Sequence, residues 1–159
     1  MIIPMLISSA LFVTPVKDTV WWDTPGGKVT AHSDPTAANC SLMLYDDNGS
    51  VTFTWDNSGK IIVTAIDPNW QFPDNWTVPV AMQLGDAWVN NGANSAVIEG
   101  VGHGSAVSFA TDQPIGDLLS PADHIEVRTA KAELSVNLSH PKLGILLSQT
   151  GKCRDTIKR

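Results

Sequence analysis

The sequence predicts a mainly-β fold, an antiparallel β-sandwich or barrel-like meander with two short helices. Three observations carry that reading. Most apolar runs alternate with polar residues at period 2, as half-buried strands do. Turn-forming residues interrupt these runs at roughly the eight-to-twelve-residue spacing of antiparallel sandwiches. Strand patterns do not alternate with long helical ones, which argues against a parallel α/β sheet.

The first sixteen residues, MIIPMLISSALFVTPV, carry no charge. The stretch is short for a membrane-spanning helix, and Pro4 and Pro15 cut it further. Its length, and the switch to polar residues at Lys17-Asp18, fit the core of an export signal, although a positive start and a clean small-x-small cleavage site are missing. Residues 1–16 are therefore read as an apolar leader, and 20–159 as a single domain. The competing reading places Ile2, Ile3, Leu11, Phe12 and Val13 in a buried strand.

Val20-Trp21-Trp22-Asp23 leads into the turn-forming Thr24-Pro25-Gly26-Gly27. Residues 29–39 have weak periodicity and are expected on the surface. The best-supported element follows at 40–70, a three-stranded meander. Leu42 and Leu44, then Val51, Phe53 and Trp55, alternate with polar or smaller residues. Asp47-Asn48-Gly49 and Asn57-Ser58-Gly59 tolerate the positive φ of hairpin turns. The third run is rich in β-branched Ile, Val and Thr, which favour strands. Residues 67–76 are a loop, because their Pro, Asn and Asp residues resist regular pairing.

Val78, Val80, Met82 and Leu84 alternate into the next strand, with Pro79 implying an edge or an outward-facing position. After Gly85-Asp86, a short strand begins at Ala87-Trp88-Val89 and is expected to end at Asn90-Asn91-Gly92-Ala93-Asn94. Residues 96–99 and 106–110 are two more short strands. Asp112 can cap a short helix with Pro114 in its first turn and Ile115, Leu118 and Leu119 on one face. Ile125 and Val127 pair with Ala132, Leu134, Val136 and Leu138 as a second hairpin. A closing helix starts near Ser139-His140-Pro141, presents Leu143, Leu146, Leu147 and Thr150, and is expected to be capped by Gly151.

Charged residues are only 16% of the chain, so Ser, Thr, Asn and Gly must cover much of the surface. That composition suits an exported β protein. Net charge is −6 and the ten Lys and Arg are scattered, which disfavours nucleic acid, whose phosphates call for clustered cations. No polybasic cluster suggests an anionic membrane surface.

Cys40 and Cys153 are the two cysteines. A structural zinc site needs four Cys or His ligands at close spacing, and no CxxC pattern exists. A reactive thiol would want a partner histidine, which spacing does not place. In an oxidising compartment the pair reads as a disulfide.

Trp22, Cys40 ahead of the meander, Pro68-Asn69-Trp70 behind it, and a final strand, short helix and Cys153 form a recognisable set. Together they resemble a group of small exported proteins of Gram-negative bacteria with no assigned activity, and more distantly the invasion-associated locus B family of periplasmic proteins. The likeness spans residues 22–153, and this chain lacks that family's second internal cysteine pair. It implies a periplasmic or secreted location and a Cys40–Cys153 bridge. It carries over no catalytic residue.

Gly100-Val101-Gly102-His103-Gly104-Ser105 matches neither GxxxxGK[ST] nor GxSxG and reads as a turn. His32, His103, His124 and His140 are too widely spaced for an HExxH-type zinc pair. Asp46-Asp47-Asn48-Gly49 misses the EF-hand register and is explained as a hairpin turn. Asp67, Asp74, Asp86 and Glu99 are carboxylates near loops, with nothing to show that they converge. Trp70, Phe72 and Trp76 sit among Pro, Asn, Gln and Asp, a composition suited to stacking on sugars or gripping a peptide. Large rings usually fold inward, and the favoured reading for Trp70 is that it plugs one end of the sandwich, leaving Trp76 as the exposed ring.

The expectation is a non-enzymatic exported accessory or binding domain, monomeric or weakly associating, using Trp70, Phe72 and Trp76. Its partner would be an envelope protein or glycan. No cofactor, metal, catalytic residue, nucleic acid or stable membrane span is expected. A carboxylate-based hydrolase of an envelope polymer and a purely structural envelope protein are the competing classes.

Overall fold

A computed structural model describes residues 17–34, 36–73, 76–99 and 105–158. The apolar leader assigned to 1–16 lies outside the described residues, as do Asp74 and His103. Ten antiparallel strands form one continuous hydrogen-bonded sheet in the order β1-β2-β3-β4-β5-β8-β7-β6-β9-β10.

β1 (Lys17–Thr24) and β2 (Gly27–Ser33) form a hairpin across Pro25-Gly26, where Gly26 takes a φ of 81°. β3 (Asn39–Tyr45), β4 (Ser50–Asp56) and β5 (Ile61–Ile66) are the expected meander. The expectation of a surface segment at 29–39 is overturned for 29–33, while Thr36 and Ala37 are exposed as expected. β2 lies between β1 and β3, and Val29 and Ala31 are buried. Its signal is faint because its inward side chains are small, with Gly27 against Leu146 of the last helix.

β6 (Thr77–Leu84), β7 (Ala87–Glu99) and β8 (Ala106–Thr111) follow. The Asn-Gly cluster does not end β7, which runs on for 13 residues. The cluster is absorbed as a bulge. From Pro79↔Ser95 to Ala81↔Asn91, four steps along β7 oppose two along β6, and Gly92 there takes a φ of 88°. Pro79 meets its expectation, because β9 pairs only with Ala81 to Leu84 and requires no amide at position 79.

α1 (Ile115–Leu119) connects β8 to β9 (His124–Arg128), and β9 pairs with β10 (Glu133–Asn137). Asp112 is not its cap: Pro114 holds the cap position and no side chain caps the helix. α2 (Leu143–Ile157) packs on β2 and β3. Gly151 does not terminate it. Leu146, Thr150 and Cys153 share its buried face, at the i, i+4, i+7 spacing of a helix that continues through Gly151.

The sheet bends so that its two parts face each other as a sandwich-like pair of layers, with β10 approaching β3. Its terminal strands β1 and β10 do not pair, so no barrel closes. The interior is formed by alternating inward residues, among them Leu42, Leu44, Phe53, Val63, Val136 and Leu146, all fully buried. The outer face of the first layer carries hydroxyl rows. Thr30, Ser41 and Thr54 lie in register, as do Thr52, Thr64 and Ser108. Ser41 bonds Thr54 at 2.9 Å, and Thr64 bonds Ser108 at 2.7 Å. The low charge content of the sequence is expressed here. No helix among the described residues is long and apolar enough to cross a membrane.

Candidate binding site

Cys40 and Cys153 form a disulfide with a Cα–Cα distance of 6.1 Å, closing a separation of 113 residues. Both are fully buried, so neither is a reactive thiol. The bridge fastens α2 to β3. Arg154 lies next to it on the helix and extends its guanidinium over the Trp55 ring, 5.1 Å from the centroid.

The aromatic loop divides. Trp70 is 5% exposed and Phe72 8%, packed edge to face at 5.7 Å. Trp70 plugs the core, as the folded-back reading has it, and Phe72 beside it likewise offers no open face for a ligand, which leaves Trp76 as the exposed ring of the three. Burying large rings there releases apolar area from water, which outweighs keeping them for a ligand. The indole N–H of Trp70 finds no acceptor among the described residues. Trp76 is 48% exposed with the Lys131 ammonium 5.7 Å above its ring. Trp88, on β7, is 51% exposed and was not singled out from the sequence.

Most other candidates are occupied. His32 bonds Asp18 at 2.6 Å, and His124 bonds Asp123 at 2.6 Å. The Asp67 carboxylate accepts the Asn69 amide at 2.8 Å, as a turn residue does. No group of three or more His, Cys, Asp or Glu among the described residues could hold a metal ion. Among the described residues, four carboxylates have displaced pKa values, all downward. The Thr36 hydroxyl lowers Asp34, the Ser58 hydroxyl lowers Asp56, and His124 lowers Asp123. Burial pushes Glu126 up, but hydrogen bonds with Glu133 and Arg128 hold it low.

A hollow of about 540 Å³ lies where three turns meet, within the usual range of small-ligand pockets. Pro25-Gly26 of the β1–β2 turn forms one wall, Tyr45 to Asn48 another, and Asn137 with His140 the third. Long-range bonds hold the walls. The Asp46 carboxylate accepts the Asn137 amide at 2.8 Å, and Asn48 Nδ2 donates to the Ser135 carbonyl at 3.1 Å. The Tyr45 amide donates to the Gly26 carbonyl at 3.0 Å. The β3–β4 turn therefore does more than reverse the chain. Asp47, His140 and the Tyr45 hydroxyl make no hydrogen bond or ion pair among the described residues.

The sequence marked these positions only as turns. Their Asn and Asp content was visible, but their convergence depends on β10 folding back over β3. A smaller hollow of about 350 Å³ lies on the outer hydroxyl face beside Asp18 and His32. Those two groups already satisfy each other, leaving less to offer a ligand.

No known family, curated protein or solved structure matches the chain.

Proposed function

We propose that the chain is a non-enzymatic exported binding domain of the bacterial envelope, with the three-turn notch as its contact site. The observation that carries this reading is preorganisation. Turns distant in sequence are fastened to one another by backbone and carboxylate hydrogen bonds, while Asp47, His140 and Tyr45 keep their polar groups for a ligand. A site held in place loses little entropy on binding.

The buried Cys40–Cys153 disulfide supports export, because such bridges persist in oxidising compartments. The resemblance of the Trp22, Cys40 and Cys153 framework to small periplasmic proteins points the same way. The partner is an envelope protein or glycan, and Trp76 beside Lys131 offers a second contact. The chain acts as a monomer or weak oligomer.

Co-sedimentation with isolated envelope material tests the reading. The oxidised protein is expected to pellet, and Asp47→Asn to stay largely in the supernatant. Equal pelleting of both proteins, or of neither, would reject the notch as the contact site.

A further inference from the structure

We infer that the notch takes a neutral sugar residue of a glycan, an assignment that rests on the binding-domain reading above. The ligand is chosen by what the walls can give and accept. Asn48 uses its Nδ2 on the Ser135 carbonyl and keeps its Oδ1 to accept. Asn137 uses its Oδ1 on the Ser139 amide, at 2.7 Å, and keeps its NH2 to donate. The Tyr45 hydroxyl and the His140 imidazole can each act in either direction. Asp47 contributes a carboxylate that only accepts when ionised.

A ligand facing this set must donate and accept at neighbouring positions, which vicinal hydroxyls do. A carboxylate can accept from two adjacent hydroxyls at once, while the Tyr45 ring supplies the flat apolar surface on which the C–H face of a pyranose stacks. The hollow, at about 540 Å³, has room for a saccharide unit.

Other ligand classes fit less well. A calcium ion needs six to eight oxygen ligands, yet both oxygens of Asp46 already accept backbone N–H groups, from Asn48 and Asn137. An anion would meet Asp46 and Asp47 in a chain of net charge −6. An apolar ligand would leave the Asp47 carboxylate and the asparagine amides unpaired, which is costly on burial. An organic cation would suit Asp47 and the ring but would leave the Asn137 donor facing positive charge.

The test is an NMR titration of the oxidised, full-length protein with chitotetraose and with cellotetraose, both neutral β-linked tetrasaccharides. Calcium chloride and tetralysine serve as comparison probes. At least one sugar is expected to shift amide resonances of residues 45–48 and 137–140, with weak, saturable affinity. Asp47→Asn is expected to weaken that binding by roughly tenfold, a loss of about 1.4 kcal/mol. Tyr45→Leu removes the ring while keeping an apolar side chain, and is expected to weaken binding as strongly without losing cooperative unfolding. Tyr45→Phe tests the hydroxyl separately from the ring.

Shifts centred on Trp76, or on the outer hydroxyl face, would overturn the assignment. So would a response to tetralysine or calcium in place of sugar. If both sugars leave the notch unmoved while envelope co-sedimentation still depends on Asp47, the sugar assignment fails and the binding-domain reading stands. If both assays are silent, both readings fail.

Discussion

The Asp46 carboxylate and the Asn137 backbone N–H, 91 residues apart, are joined by a hydrogen bond of 2.8 Å. The other oxygen of Asp46 accepts the Asn48 amide at 2.8 Å. One side chain thereby shapes the β3–β4 turn and fastens it to the end of β10. Alanine there leaves both backbone donors without their acceptor and asparagine, which keeps one acceptor oxygen, leaves one, a penalty that in general is about 1–3 kcal/mol for a buried group and smaller where water reaches. Asp46→Ala and Asp46→Asn are both expected to lower the urea midpoint. Asp47→Asn, one residue on, is expected to change stability by no more than about 0.5 kcal/mol. Urea denaturation of the three variants separates the residue that builds the notch from the one that serves a ligand.

Acid should weaken the β4–β5 turn. The Ser58 hydroxyl lowers the pKa of Asp56 below its ordinary 3.8, outweighing partial burial, and the Lys60 and Ser58 amides add to this effect. A carboxyl with a lower pKa in the folded state than in the unfolded chain stabilises above the unfolded value. That contribution fades as pH falls through the folded one. The urea midpoint is expected to drop below about pH 3.8, with part of the drop due to this turn. Asp56→Asn should lose stability at neutral pH and show a flatter acid limb. An unchanged slope would remove Asp56 from the acid response.

Trp70 combines a favourable burial with an unsatisfied polar group. The residue is only 5% exposed and its ring packs on Phe72, yet its N–H has no acceptor among the described residues. Truncation to Ala is expected to cost about 3–5 kcal/mol, the usual range for a core aromatic. Phe removes the stranded donor, so Trp70→Phe should cost much less, about 1 kcal/mol, because the gain partly offsets the lost ring area. Trp76→Ala should cost less than about 1 kcal/mol, since its ring is half exposed and its Lys131 contact is a surface one. Guanidinium unfolding of the three variants provides the comparison.

What the sequence made legible was local. The meander at 40–70 and the hairpin of Ile125, Val127, Leu134 and Val136 announce themselves because period-2 alternation is written in neighbouring residues. β2 was hidden by small inward side chains packed beneath α2. β7 was hidden by its bulge, whose Asn and Gly residues resemble a terminator when the β6 partner is unknown. The disulfide was legible only on the premise of an oxidising compartment, together with the resemblance. The notch required knowing that residues 46 and 137 are neighbours, which no local pattern encodes. The inward fold of Trp70 was legible from the tendency of large rings to bury, whereas for Phe72 composition alone gave no sign, and its burial is decided by the layer it folds against.

The disulfide should dominate stability. Closing a loop of this length restricts the unfolded chain by roughly 4–5 kcal/mol in the entropic account. That compares with about 5–15 kcal/mol for whole domains of ordinary stability. The double variant Cys40→Ala with Cys153→Ala is expected to lose several kcal/mol in guanidinium unfolding, and reduction of the wild type should approach the same midpoint. The loss should be accompanied by freer motion of α2, seen as faster amide exchange at residues 150–157. If the reduced protein keeps its midpoint, α2 is held by Leu146 and its apolar neighbours alone.

Gly151 separates two accounts of the last helix. A glycine that ends a helix takes a left-handed conformation, and a side chain there costs stability. Gly151 instead lies inside α2, its φ is not in the left-handed range, and a Cβ added to it would meet nothing within 4 Å. In that setting alanine should stabilise the helix by about 0.5–1 kcal/mol, by restricting the unfolded chain and raising helix propensity. Thermal unfolding of oxidised Gly151→Ala should therefore show a higher midpoint than wild type. A lower midpoint would mean that the helix breaks at Gly151, and the path by which Cys153 reaches Cys40 would need another explanation. The same substitution in the reduced protein checks that the gain belongs to the helix: it should persist after the bridge is opened, because the methyl group touches neither cysteine.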